Sequence, residues 1–182
     1  MELRTEWTDL FEEVFDSVRE SLPVVLNAAG CREGWLQGEF YRRLIGRNTC
    51  FPVNTFPIGP RAKADLCGVK PPRMVAEIKI CSLYEFQERN TDGHSVGPYV
   101  PEHEGQRVDI TPEQVNRAPS GSLLCDLLRS QHLEEDIEKY VILVIDKNGH
   151  PDKSGEAIQA LRLTHKETTL DYDGFFVRIW QV

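Results

Sequence analysis

The run Tyr140-Val141-Ile142-Leu143-Val144-Ile145 constrains the fold more than any other stretch of the chain. An unbroken apolar segment of this length reads as a strand covered on both faces, so the sheet that holds it needs layers packed on either side. It is also the longest strongly apolar run, and a membrane-spanning helix needs roughly 20 such residues. The chain is therefore expected not to cross a membrane. Its composition, 40% hydrophobic and 27% charged, is near the average for globular domains and excludes wholesale disorder. At 182 residues one domain is expected.

Around that strand the periodicity supplies the other elements. Trp7, Leu10, Phe11, Val14, Phe15, Val18 and Leu22 recur at helical spacing, with Glu and Asp on the opposite face, and predict an amphipathic helix interrupted near Pro23. A second helix is expected from about Trp35 to Arg43, burying Leu36, Phe40 and Leu44. Thr49 to Ile58 reads as an irregular or edge strand because it contains Pro52 and Pro57. Arg61 to Val69 and Met74 to Leu83 alternate as strands, joined by Lys70-Pro71-Pro72 into a hairpin. From Gln87 to Gly121 periodicity disappears, and a structureless stretch of that length is either functional or mobile. Ser122 to Lys139 is expected to be helical, Asp152 to Leu163 weakly so, and Phe175 to Val182 a last strand. The fold class expected is mixed α+β, a central sheet flanked by helices.

Charge is unevenly spread. Residues 1–30 carry two basic and seven acidic side chains, and residues 81–182 carry ten and eighteen. Residues 31–80 reverse the balance with nine against four, a local excess of +5 in a chain of net charge −8. Such a local excess is what a polyanion-binding face requires. Five cysteines (Cys31, Cys50, Cys67, Cys81 and Cys125) form no Cys-x-x-Cys pair, which argues against a zinc ribbon and for reduced thiols. The N-terminus lacks the basic start and apolar core of a secretory signal, so a soluble, cytoplasmic protein is expected.

The basic block also holds the one convincing chemical constellation. Strand alternation puts Lys63, Asp65 and Cys67 on one face and Ala62, Ala64 and Leu66 on the other. On the next strand Val75, Glu77, Lys79 and Cys81 share a face, with Ala76, Ile78 and Ile80 behind. The hairpin brings the two polar faces together, so that two carboxylates and an ammonium meet. Paired hard oxygens on rigid strands suit Mg²⁺, which completes its shell with water and phosphate oxygens. A neighbouring lysine can orient or deprotonate an attacking water and stabilise charge building on phosphorus.

Asp65, eleven intervening residues and then Glu77-Ile78-Lys79 resembles the core motif of the PD-(D/E)XK nuclease superfamily, with Ala64 where the family name has proline. The resemblance extends over residues 34–147. It implies a restriction-endonuclease-like αβββαβ core: the helix carrying Glu39, three strands, the helix after Ser122 and the strand from Tyr140. It further implies a DNA endonuclease dependent on Mg²⁺ or Mn²⁺. Asp65 and Glu77 would ligate the metal, helped by the Ile78 carbonyl, and Glu39 would complete the site or hold a second ion. Lys79 would position the nucleophilic water, and Lys63, Arg42 and Arg43 would contact phosphates.

In this reading residues 1–30 are a helical extension, 31–147 the nuclease-like core, 86–121 an inserted loop and 148–182 a C-terminal helix and strand. Cutting both strands of a duplex needs two sites, hence a homodimer or a partner protein. The alternative keeps the fold as a catalytically silent interaction module whose acidic surfaces bind protein. His94, His103, Glu102 and Glu104 match no metal-ligand spacing. Asp126 with Glu134, Glu135, Asp136 and Glu138 reads as a solvated, charged helix face. Cys125 has no basic neighbour in sequence to activate it.

Overall fold

A computed structural model of the chain describes residues 6–28, 30–45, 57–59, 62–68, 72–80, 87–89, 95–98, 123–130, 133, 136–149, 152, 154–155, 158 and 165–182. The helix expected at the N-terminus is α1, Glu6–Val18, and all six of its expected apolar positions from Trp7 to Val18 are buried. Pro23 does not interrupt a helix. It opens the short α2, Leu22–Leu26, in the first turn, where its missing N–H would have no partner in any case. The second expected helix is α3, Arg32–Leu44, longer at its start than the apolar pattern indicated, with Leu36 and Phe40 buried.

Five strands form the main sheet: β3, Leu66–Gly68; β4, Met74–Ile80; β7, Glu138–Asp146; β8, Lys166–Asp171; and β9, Phe175–Gln181. Their order is β3-β4-β7-β9-β8. Only β4 and β7 run parallel, with Glu77 opposite Val141 and Lys79 opposite Leu143. The other three pairs are antiparallel. Two smaller antiparallel pairs accompany it. One joins β1, Pro57–Gly59, to β2, Ala62–Lys63, and the other joins β5, Gln87–Arg89, to β6, Ser95–Pro98.

The apolar run beginning at Tyr140 is buried throughout, as a strand covered on both faces must be. Its alternate residues Tyr140, Ile142 and Val144 join Ala76, Ile78, Val177 and Ile179 in one core with α1, α2 and α3. Edge-to-face rings knit the layers: Phe11 meets Phe40 at 5.8 Å and Tyr140 at 5.4 Å, and Phe15 meets Phe40 at 5.5 Å. The N-terminal helix, read from sequence as an extension, thus supplies part of the main core. On the other face α4, Leu123–Ser130, packs beside β7. It is shorter than the helix expected from Ser122 to Lys139: Leu133 and Ile137 lie in bends, Asp136 in a turn, and residues from Glu138 onward enter β7. Among the described residues no helix is long and apolar enough to cross a membrane.

Several local expectations are corrected. The strand read as Arg61 to Val69 is broken at Asp65, which occupies a bend between β2 and β3. Ala64 and Leu66 consequently do not share a face. Leu66 enters the main core, whereas Ala64 packs with Val75 and Ile137 in a separate cluster. The stretch read as structureless contains the β5–β6 pair. Periodicity does not mark the strand β8, because Lys166-Glu167-Thr168-Thr169-Leu170-Asp171 offers only Thr168 and Leu170 to the interior. It is an edge strand returning to β9 through a turn in which Gly174 has φ +86°. Ser154, Gly155 and Ile158 are helical, within the weak helix expected there.

Candidate active site

The β3–β4 hairpin positions the first two acids. Cys67 pairs with Val75, so continuing the register places Asp65 opposite Glu77. Alternation along β4 sends Ala76, Ile78 and Ile80 into the main core and leaves Glu77 and Lys79 on the α4 side. Asp65, Glu77 and Lys79 are nevertheless all buried, each less than 8% exposed. The bend at Asp65 lets its carboxylate turn to the neighbouring strand, where Oδ2 accepts the Ile78 N–H at 2.7 Å. Its Oδ1 accepts Nε2 of Gln37, from α3, at 2.7 Å.

The Lys79 ammonium is held from three sides. It donates to the Ile78 carbonyl at 3.2 Å and lies 3.3 Å from Asp126 Oδ2 on α4 and 3.5 Å from Glu33 Oε1 on α3. Asp126 is a buried member of the site, which corrects its reading as part of a solvated face. At helical spacing Leu123, Asp126, Leu127 and Ser130 lie on one face, and all four are buried. That placement was available in the sequence. Only grouping Asp126 with the later acids obscured it. Glu33 and Gln37, also missed, stand four residues apart on α3 and therefore on one face.

Glu39 lies elsewhere. Six residues beyond Glu33, it is roughly 120° round the helix at about 100° per residue. Its carboxylate is paired with Arg42 at 2.8 Å and Arg43 at 3.5 Å. The acid that α3 directs to Lys79 is Glu33, not Glu39. Arg42 remains largely exposed, and Arg43 also donates to the Ser17 carbonyl. Lys63 belongs to β2, but its side chain lies outside the described residues, as do His94, Glu102, His103, Glu104, Glu134, Glu135 and the side chain of Cys125.

Burial of so many acids shapes their protonation. Desolvation, with Asp126 and Asp65 nearby, pushes the Glu77 carboxyl up to about 10. Asp65 is raised as well, chiefly by burial, against the opposing pull of the Ile78 N–H and Lys79. A hydrogen bond between the two carboxyls raises Glu77 and lowers Asp65, which favours Glu77 as the protonated member. Glu33 is raised by burial, against the attraction of Lys79. For Lys79 burial acts downward, but Asp126, Glu33, Asp65 and Glu77 together outweigh it and raise it. At neutral pH it is an ammonium, fit to donate hydrogen bonds and neutralise charge rather than to accept a proton.

Glu77 Oε1 is buried and no hydrogen-bond donor reaches it. A carboxyl oxygen buried without a partner beside a second acid is a costly arrangement in protein alone. Mg²⁺ asks for few protein ligands and prefers hard oxygens, so Asp65, Glu77 and the Ile78 carbonyl fit it or Mn²⁺ by donor type. Among the described residues no three His, Cys, Asp or Glu side chains are grouped closely enough to hold an ion by themselves. Water and substrate oxygens would have to complete the shell. A surface cavity of about 430 Å³ opens elsewhere, beside Pro72, Asp136–Lys139 and Val182, and includes none of these acids.

No protein-family model, no curated protein and no solved structure matches this chain. The chemistry of the site therefore rests on its own geometry.

Proposed function

We propose that the chain is a metal-dependent endonuclease that hydrolyses DNA phosphodiester bonds, built on a restriction-endonuclease-like core. The observation that carries this reading is the convergence of Asp65, Glu77 and Lys79 on one buried patch, with a Glu77 oxygen that no donor satisfies. Asp65 and Glu77 hold Mg²⁺ or Mn²⁺, and Gln37 fixes the orientation of Asp65 through their 2.7 Å hydrogen bond. The bound cation supplies an activated water and neutralises phosphate charge. Lys79, kept protonated, orients that water and stabilises the charge that builds on the phosphate. Arg42, exposed on α3, and Lys63 on β2 are candidates to grip flanking phosphates, with Arg43 nearer the α1 side. Cleavage of both strands calls for a second copy or a partner protein, and the setting is cytoplasmic restriction, recombination, repair or mobile-element chemistry.

One observation favours a second reading, in which the fold is a silent interaction module: the absence, among the described residues, of three ligating side chains gathered for one ion. A single assay separates the two. Supercoiled plasmid, single-stranded DNA and a four-way junction are incubated with Mg²⁺ or Mn²⁺, with an EDTA control, beside Glu77→Ala and Lys79→Ala. Metal-dependent cutting by the wild type is expected, falling by a factor of about 10² or more in either variant. No cutting of any substrate by the wild type would leave the interaction module.

A further inference from the structure

Four carboxylates surround a single ammonium in this site, and Lys79 pairs with the two more distant in sequence from its own hairpin. Its Nζ lies 3.3 Å from Asp126 and 3.5 Å from Glu33. Among the described residues it forms no ion pair with Glu77 or Asp65, although Glu77 is two residues away on the same face of β4. Glu77 Oε1 meanwhile has no donor. A lysine carries its charge as a compact head on a flexible stem, so the ammonium settles toward whichever neighbouring acids attract it most. What decides the direction is the field. Asp126 is 1% exposed, and a carboxylate so deeply buried attracts a nearby ammonium strongly because little solvent screens it. Glu33 pulls the same way from α3.

We propose that Asp126 is a positioning residue: with Glu33 it holds the Lys79 ammonium away from Asp65 and Glu77, keeping those two carboxylates open to a divalent cation. The proposal rests on the reading of Asp65 and Glu77 as metal ligands. Asp126 itself need touch neither the ion nor the substrate. Its removal frees the ammonium to turn to Glu77, where it becomes an internal competitor for the cation. The effect on metal affinity is then indirect and depends on Lys79 being present.

That dependence is the test. Mn²⁺ is titrated into metal-free full-length chain by calorimetry, with free Mn²⁺ counted by electron paramagnetic resonance, so no turnover is needed. Asp126→Asn, nearly the same size without the charge, is expected to weaken Mn²⁺ binding by about 10- to 100-fold, the range typical of groups just outside a metal's ligands. Lys79→Met binds Mn²⁺ at least as tightly as wild type. The double variant Asp126→Asn/Lys79→Met returns to the affinity of Lys79→Met, because the competitor has gone.

A loss that persists in the double variant makes Asp126 a ligand and overturns the proposal. So does an Asp126→Asn affinity equal to wild type with only a lowered melting temperature, which marks a packing role. Should circular dichroism show Asp126→Asn unfolded, the same cycle is run with Glu33→Gln, whose side chain is 40% exposed. There a smaller loss, again reversed by Lys79→Met, supports the proposal, and no loss overturns it. Failure of the metal-site reading is distinct, since wild-type chain would then bind no Mn²⁺ before any variant is made.

Discussion

Glu77 sits where three opposing demands meet: a strand that needs every position, a core that excludes water, and two further acids close by. Its carboxyl is pushed up to about 10, so in metal-free protein it stays protonated through neutral pH, whereas in the unfolded chain it ionises near 4.5. The folded state then holds the extra proton, and the sign follows. Stability from this group is complete below about 4.5 and is lost as pH rises toward 10. Glu77→Gln, which keeps a donor for Asp65 and cannot ionise, is expected to raise metal-free stability at pH 8 by about 1–3 kcal/mol. It should also flatten the decline between pH 5 and 9. Urea melts across that range check both points, and a steeper decline in the variant would contradict the assignment. Three of the site residues, Asp65, Glu77 and Lys79, were legible because a period of two and a Pro-Pro turn are local signals. The buried face of Asp126 is legible from its spacing with Leu123, Leu127 and Ser130, but its recruitment to the site, like that of Glu33 and Gln37, comes from contact across elements far apart in sequence.

Elements near the site owe their geometry to close packing as much as to hydrogen bonding. The β3–β4 hairpin is clamped by Trp7 of α1, whose Nε1 donates to the Pro72 carbonyl at 3.0 Å. Its ring lies so close over β3 that a Cβ added at Gly68 would come within 2.5 Å of it. Gly68→Ala is therefore expected to push α1 and the hairpin apart and to destabilise the fold by about 1–3 kcal/mol. Thermal denaturation of Gly68→Ala measures this, and a compensating Trp7→Phe should recover part of the loss. The same elements mark what patterning can and cannot reveal. The faces of α1 and β4 and the doubly covered β7 follow from periodicity, because each buries a full apolar stripe. The break at Asp65 does not, since nothing in Ala62-Lys63-Ala64-Asp65-Leu66 departs from strand alternation. The bend goes with a carboxylate that reaches across to the Ile78 N–H. An edge strand such as β8, with half its residues in water, has too little apolar contrast to stand out.

For the molecule as a whole, the parallel pairing of β4 and β7 has a kinetic consequence. Everything from residue 81 to residue 137, α4 included, lies in the crossover between those two strands. Closing a loop of that length is entropically unfavourable and is repaid only by the long-range contacts it permits. The main core draws chiefly on α1, α3 and the sheet, so it can consolidate before α4 is seated. Asp126 would then reach Lys79 after the rate-limiting step. On that account Asp126→Asn leaves the refolding limb of a denaturant chevron almost unmoved and accelerates unfolding, the pattern of a contact absent from the transition state. Of the acids in the site only Asp126 would then arrive in a chain already past its barrier, so its ion pair with Lys79 sets how long the native state lasts rather than how quickly it is reached.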